Sequence, residues 1–157
     1  MRRIQESVRL PVVLASSLLV VLALGGAQPQ PGQKAEPKEL IRSVLDSQVA
    51  AWNKGDLDAF MTGYWKSPEL SFFSGGTKTK GWQATLDRYR ARYQAEGKEM
   101  GKLTFSEVEI ELLGPDAAWV RGRWKLVLSE ESPGGLYTLI FKKLPEGWRI
   151  VHDHTSG

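Results

Sequence analysis

The sequence predicts an α+β fold, with helices first and a meander of strands after them. Three observations carry this. Apolar residues recur at intervals of three and four as far as Tyr93, the spacing of a helix face. After Gly101 the interval becomes two, the spacing of a strand. Gly- and Pro-rich turns then cut the second half into segments of strand length. The order helix, helix, strand, helix and four strands places the helices against one antiparallel sheet. Strongly curved, such a sheet would wrap the aromatic faces of three N-terminal helices and leave a cone-shaped cavity.

The first helix opens at Glu39, and Ile41, Val44, Leu45, Val49 and Trp52 share its apolar face. Gly55 sits at its stop, and Asp56 has the side chain to cap the next helix. Leu57, Phe60, Met61 and Tyr64 form the stripe of that second helix, which Ser67-Pro68 ends because proline breaks a helix. Glu69 to Phe73 reads as a short strand closed by the Gly75-Gly76 turn. Thr79 is placed to cap a third helix, on which Trp82, Leu86, Tyr89 and Tyr93 recur. Its other face carries Arg88 and Arg92, read as a solvated cluster, and Gly97 stops it. Val108, Ile110 and Leu112 then alternate with Glu107, Glu109 and Glu111. After the turn at Gly114-Pro115-Asp116, Val120, Gly122, Trp124 and Leu126 alternate with Arg121, Arg123 and Lys125. Three glutamates facing three cations predict antiparallel neighbours with a charged outer face, each pair worth about 0.2–1 kcal/mol. Pro133-Gly134-Gly135 makes the next turn, and the last strands run over Leu136–Lys143 and Trp148–Thr155.

Residues 1–27 read as a secretory leader. A basic start reaching Arg9, an apolar run from Leu10 to Leu24 and the small residues Gly25-Gly26-Ala27 place cleavage after Ala27. The alternative is an uncleaved N-terminal anchor, since the run approaches the length of a span. Cleavage gives an exported protein, periplasmic or extracellular, with no stable membrane span. The whole chain of 157 residues carries a net charge of +3. The leader holds three of the arginines and one glutamate, so the mature chain keeps 18 cations against 17 carboxylates. That near-neutral balance argues against a nucleic-acid partner, which needs clustered cations. Gln28 to Pro37 is a Pro- and Gln-rich linker, and residues 38–157 form one domain, large enough to fold without a metal or disulfide. Cysteine is absent, which excludes disulfides, thiolate metal sites and cysteine nucleophiles. No P-loop, G-x-S-x-G elbow or dinucleotide fingerprint occurs, and no cofactor is expected.

Several stretches carry a family resemblance. They are Ala51-Trp52-Asn53-Lys54-Gly55-Asp56, Tyr64-Trp65, Phe72-Phe73-Ser74-Gly75-Gly76, Gly81-Trp82 and the ending Gly147-Trp148-Arg149-Ile150-Val151-His152-Asp153-His154-Thr155-Ser156. Over residues 38–157 the chain resembles the nuclear transport factor 2-like superfamily, in its SnoaL-like branch. The ending is also similar to the association domain of calcium/calmodulin-dependent protein kinase II. The resemblance implies a cone-shaped α+β barrel with a pocket, a homodimer formed through the sheet, and activities ranging from cyclases, isomerases and dehydratases to pure binding and oligomerisation modules. Pocket arginines of that association domain fall at Trp124 and Thr155 here, so anion binding is not carried over from it.

His152 and His154, the only histidines, share one face of a strand. A catalytic zinc needs a third protein ligand, which the sequence does not identify, so both are read as structural and no metal is expected. Asp153 lies on the other face, counted together with Arg149, Val151 and Thr155. Facing an aromatic cavity, its carboxyl would be raised by burial and suited to general acid–base work, with Tyr89, Tyr64 or the Trp124 indole as donors to an enolate. Facing elsewhere, it would simply pair with Arg149. The expected ligand is a small, mostly apolar molecule. Its candidate contacts are Trp52, Tyr64, Trp65, Phe73, Tyr89, Tyr93, Trp124 and Thr155, while Trp82 and Trp148 are assigned to packing.

Overall fold

The computed structural model describes residues 35–157; the leader, its cleavage point and linker residues 28–34 lie outside them. The elements run α1 (Pro37–Asn53), α2 (Leu57–Met61), β1 (Ser71–Ser74), β2 (Thr77–Lys80), α3 (Trp82–Tyr93), β3 (Lys102–Leu112), β4 (Ala117–Val127), β5 (Gly134–Leu144) and β6 (Gly147–Thr155). One six-stranded sheet in the order β2-β1-β6-β5-β4-β3 curls around the helices without closing. The expected α+β architecture and cone are present, but the sheet is mixed: β1 and β6 pair in parallel, and every other neighbouring pair is antiparallel. Parallel neighbours need a long crossover, and the chain from α3 through β5 supplies it.

On α1, Ile41, Leu45 and Trp52 are buried as their spacing predicts, joined by Gln48 and Ala51. Pro37, expected at the end of the linker, is instead the first helical residue, where its missing N–H costs nothing. Gly55 takes φ +78°, and the Asp56 carboxylate accepts the Ala59 N–H at 2.9 Å, capping α2. That helix ends at Met61, well before Ser67-Pro68. The reason is a competing interaction: the Trp65 N–H donates to the Ile150 carbonyl and the Ile150 N–H to the Gly63 carbonyl, both at 2.9 Å, tying residues 63–65 to β6. The first strand lies at Ser71–Ser74, shifted from Glu69–Phe73. Thr79 does not cap α3; it belongs to β2, a strand of Thr and Lys whose lack of apolar residues hides it from hydrophobic periodicity. Gly81, at φ +95° and without a side chain, precedes α3, and the helix stops at Tyr93, ahead of Gly97.

Two β-bulges shape the sheet. Glu107 and Val108 together face Gly122, with Glu107 at φ +51°, so β3 slips one residue against β4. Two of the three expected charge pairs survive, Arg121–Glu109 at 2.7 Å and Arg123–Glu107 at 3.0 Å. The third does not: Lys125 faces Thr104, and Glu111 accepts the Trp119 indole N–H. The second bulge is at Val151, between the pairs Phe141–Ile150 and Ile140–His152. Inside the curl, Ala118, Val120, Leu126, Leu139, Phe141 and Ile150 pack against the helices in one continuous core.

Candidate functional site

The Val151 bulge decides what β6 shows to the interior. Before it, Trp148 and Ile150 are buried; after it, Asp153 is buried. An extra residue moves the inward phase from even to odd positions, so Ile150, Asp153 and Thr155 line one cavity while Arg149 and Val151 do not. Phe72 on β1 and Leu139 on β5 flank Asp153 in register. The cavity measures about 160 Å³.

Asp153 is 3 % exposed, and two hydroxyls hold its carboxylate. Tyr64 donates to Oδ2 at 2.8 Å and Thr155 to Oδ1 at 2.7 Å. Burial in apolar surroundings pushes the Asp153 pKa up to about 6, and these two donors offset part of that rise. Burial likewise raises Tyr64 and Tyr89 well above the usual phenol range, with the Asp153 charge adding to it. Tyr64 reaches Asp153 because residues 63–65 are tied to Ile150. Gly63 permits that approach, since a Cβ there would sit 2.7 Å from the Gln48 side chain.

The walls are aromatic. Phe72 stacks on Tyr89 at 5.4 Å between ring centroids, and Tyr89 on Tyr93 at 6.0 Å, giving a ladder that runs from beside Asp153 to exposed Arg92, whose guanidinium lies over Tyr93. Trp52 meets Phe60, Tyr89 and Tyr93 edge to face, and its indole N–H is fixed on the Met100 carbonyl at 2.7 Å. Phe105 and Tyr137 pack together on the sheet side. The Trp124 indole N–H donates to the Ser156 carbonyl at 2.9 Å and is occupied by that bond. Arg88, half-buried, and Arg92, exposed, stand among the cavity-lining residues.

The sequence model of the SnoaL-like domain matches residues 41–157. The chain belongs to the SnoaL-like family. No curated protein matches it. Among solved structures, a nuclear transport factor 2-like protein of unknown function from Shewanella oneidensis is similar, at 39% identity over 78% of this chain and 100% of that one, with a TM-score of 0.73. A nuclear transport factor 2-like superfamily protein from Salmonella enterica shares 22% identity over 78% and 93% of the two chains, with a TM-score of 0.62. A protein from Thiobacillus denitrificans, described as a candidate calcium/calmodulin-dependent protein kinase type II association domain, shares 21% over 73% and 92%, with a TM-score of 0.61. The latter two likenesses concern the fold alone.

In this SnoaL-like domain the structure gathers Asp153, Trp52, Tyr64, Tyr89, Tyr93, Trp124 and Thr155 around one cavity. Two expected contacts fall outside it. Phe73 points to the outer face, edge-on to His152 and His154, and Phe72 takes the inward place, because the strand phase of β1 is set by pairing with β6. Trp65, whose backbone N–H is tied to Ile150, does not line the cavity. Trp82 and Trp148 do not line the cavity; the Trp82 indole donates to the Met61 carbonyl. His152 accepts or donates at Ser71 Oγ, 2.7 Å away, on the outer face, and burial lowers its pKa. The clearest correction concerns Arg88, expected in a solvated cluster. It is half-buried, bonded to Ser74 O and Thr79 Oγ1 at 3.0 Å, with its guanidinium 5.1 Å over Phe72. Only the β1–β2 hairpin, whose second strand is invisible in the apolar pattern, brings those acceptors to α3. Gln48, Phe60, Phe105 and Tyr137 are further lining residues that the sequence reading missed; apolar spacing alone does not separate a pocket wall from a core.

Proposed function

We propose that this chain is an exported SnoaL-like domain that binds a small, mostly apolar molecule and moves a proton on it with Asp153. That is the chemistry of a cofactor-free isomerase, cyclase or dehydratase. The observation that carries this reading is a buried carboxylate, braced by Tyr64 and Thr155, at the end of an aromatic cavity. With a pKa near 6 the group is mainly ionised at neutral pH and still basic enough to take a proton. In the proposed step, the carboxylate removes a proton from a carbon beside a carbonyl, and a tyrosine hydroxyl donates to the oxygen where negative charge develops. Return of the proton to another carbon completes an isomerisation; in a dehydration the β-hydroxyl leaves with the proton held by Asp153, as water, as the enolate collapses to the alkene.

The alternative is a non-catalytic binding or self-association module, supported by the description of the Thiobacillus protein as an association domain. Proton exchange separates the two. One- and two-ring ketones incubated in D₂O are expected to exchange α-protons with the wild type, and Asp153→Asn is expected to slow this by about 10²-fold or more. Equal exchange by both proteins would remove Asp153 as the base. Native mass spectrometry of protein from its own host tests the rest. It is expected to show a chain beginning at Gln28 with a retained small ligand; a chain retaining its leader would favour the anchored form.

A further inference from the structure

Resting on the pocket reading above, we infer that the ligand is an amphipathic anion: a one- or two-ring apolar body with a carboxylate, held at the cavity mouth by Arg88 and Arg92. The two arginines are one turn apart on α3, both line the cavity, and like charges at that spacing repel. Among the described residues, none of the four ion pairs involves either of them. Bonds to Ser74 O and Thr79 Oγ1 fix the Arg88 guanidinium in the wall and use two of its five N–H donors. Arg92 is exposed and lies 5.5 Å over the Tyr93 ring, at the outer end of the aromatic ladder. A bound carboxylate would relieve the repulsion and take charge-assisted hydrogen bonds from a planar donor group.

Asp153, whose register neighbour Phe72 lies beneath the Arg88 guanidinium, fixes the ligand's direction. Asp153 would repel an anion, so only a neutral polar group suits the Tyr64–Asp153 end, and the charged group must face α3. Tyr89 lies between the two: its phenol is raised by the Asp153 charge and lowered by the Arg88 charge. Apolar Leu103, Phe105, Leu126, Leu139 and Ile150 lie along the path. The volume of about 160 Å³ is close to cavities of roughly 150 Å³ that accept benzene, which limits the enclosed body to one or two rings.

Isothermal titration of the mature chain with 2-naphthoate and its neutral isostere 2-naphthamide tests this. The naphthoate is expected to bind about tenfold more tightly, a difference near 1.4 kcal/mol. That preference should shrink as salt rises from about 0.05 to about 0.5 M. Arg92→Gln, an exposed substitution, is expected to remove most of the preference by weakening 2-naphthoate far more than 2-naphthamide. Arg88→Gln should act in the same direction, with circular dichroism checking that the β1–β2 hairpin persists. Equal binding of both probes, unmoved by Arg92→Gln, overturns the anion assignment and leaves the pocket reading standing. No binding of either overturns both.

Discussion

Asp153 is charged at neutral pH only at a cost to the fold. Its native pKa is near 6 against an ordinary value of 3.8, so the native state holds a proton that the unfolded chain has already released. Stability from this group is complete below about pH 4 and falls as pH rises through about 6; it is constant above that. The size is about 2–3 kcal/mol. Asp153→Asn keeps the shape and removes the charge. It is expected to be more stable than wild type at pH 8 and little different at pH 4, measured by thermal unfolding at both values; a variant no more stable at pH 8 would contradict the raised pKa. Of this site, the sequence alone offered the carboxylate, Thr155 on its strand and Tyr64, Tyr89 and Trp124 as alternative donors; the structure bonds Tyr64 and Thr155 to Asp153 and ties the Trp124 indole to Ser156. The sequence did not show that Tyr64 is the one bonded to Asp153, because the residues are 89 positions apart and meet only through the tie between Gly63–Trp65 and Ile150.

At the scale of elements, the bulges matter more than propensity. Strand alternation counted through β6 puts Asp153 with Arg149 and Val151; the bulge at Val151 separates them, and no turn residue marks it in the sequence. The bulge in β3 sets a second constraint. Gly122 lies opposite it, and a Cβ there would clash with the Tyr137 hydroxyl. Among the described residues that buried hydroxyl has no hydrogen-bond partner, and an unpaired buried polar group costs about 1–3 kcal/mol. Two linked outcomes are expected from chemical denaturation. Gly122→Ala should destabilise by about 1–3 kcal/mol through overpacking, whereas Tyr137→Phe should stabilise by about 1 kcal/mol and relieve much of the alanine's clash in the double variant. Additive effects in that double variant would show that the hydroxyl is not what Gly122 makes room for.

For the whole molecule, the outer face of the sheet bears on the self-association that the family resemblance implies. Trp119, Ile140 and His152 form one row across β4, β5 and β6, and Leu136, four residues before Ile140 on the same face of β5 and opposite Arg123, is 52 % exposed. A homodimer covering this face predicts twice the protomer mass in light scattering, and Leu136→Glu should shift it toward one protomer. An unaltered dimer in that variant would move the interface elsewhere. The α+β class, the helical faces of α1 and α3, the Asp56 cap and the four long strands all follow from the sequence by itself. Each depends on local spacing, since a helix or strand facing one core must repeat its apolar residues at 3.6 or 2. Tertiary structure alone decided the parallel β1–β6 pairing, the β2 hairpin, the inward turn of Asp153 and the capture of Arg88 by the cavity wall. These depend on register between distant segments, and a shift of one residue reverses which side chain faces inward.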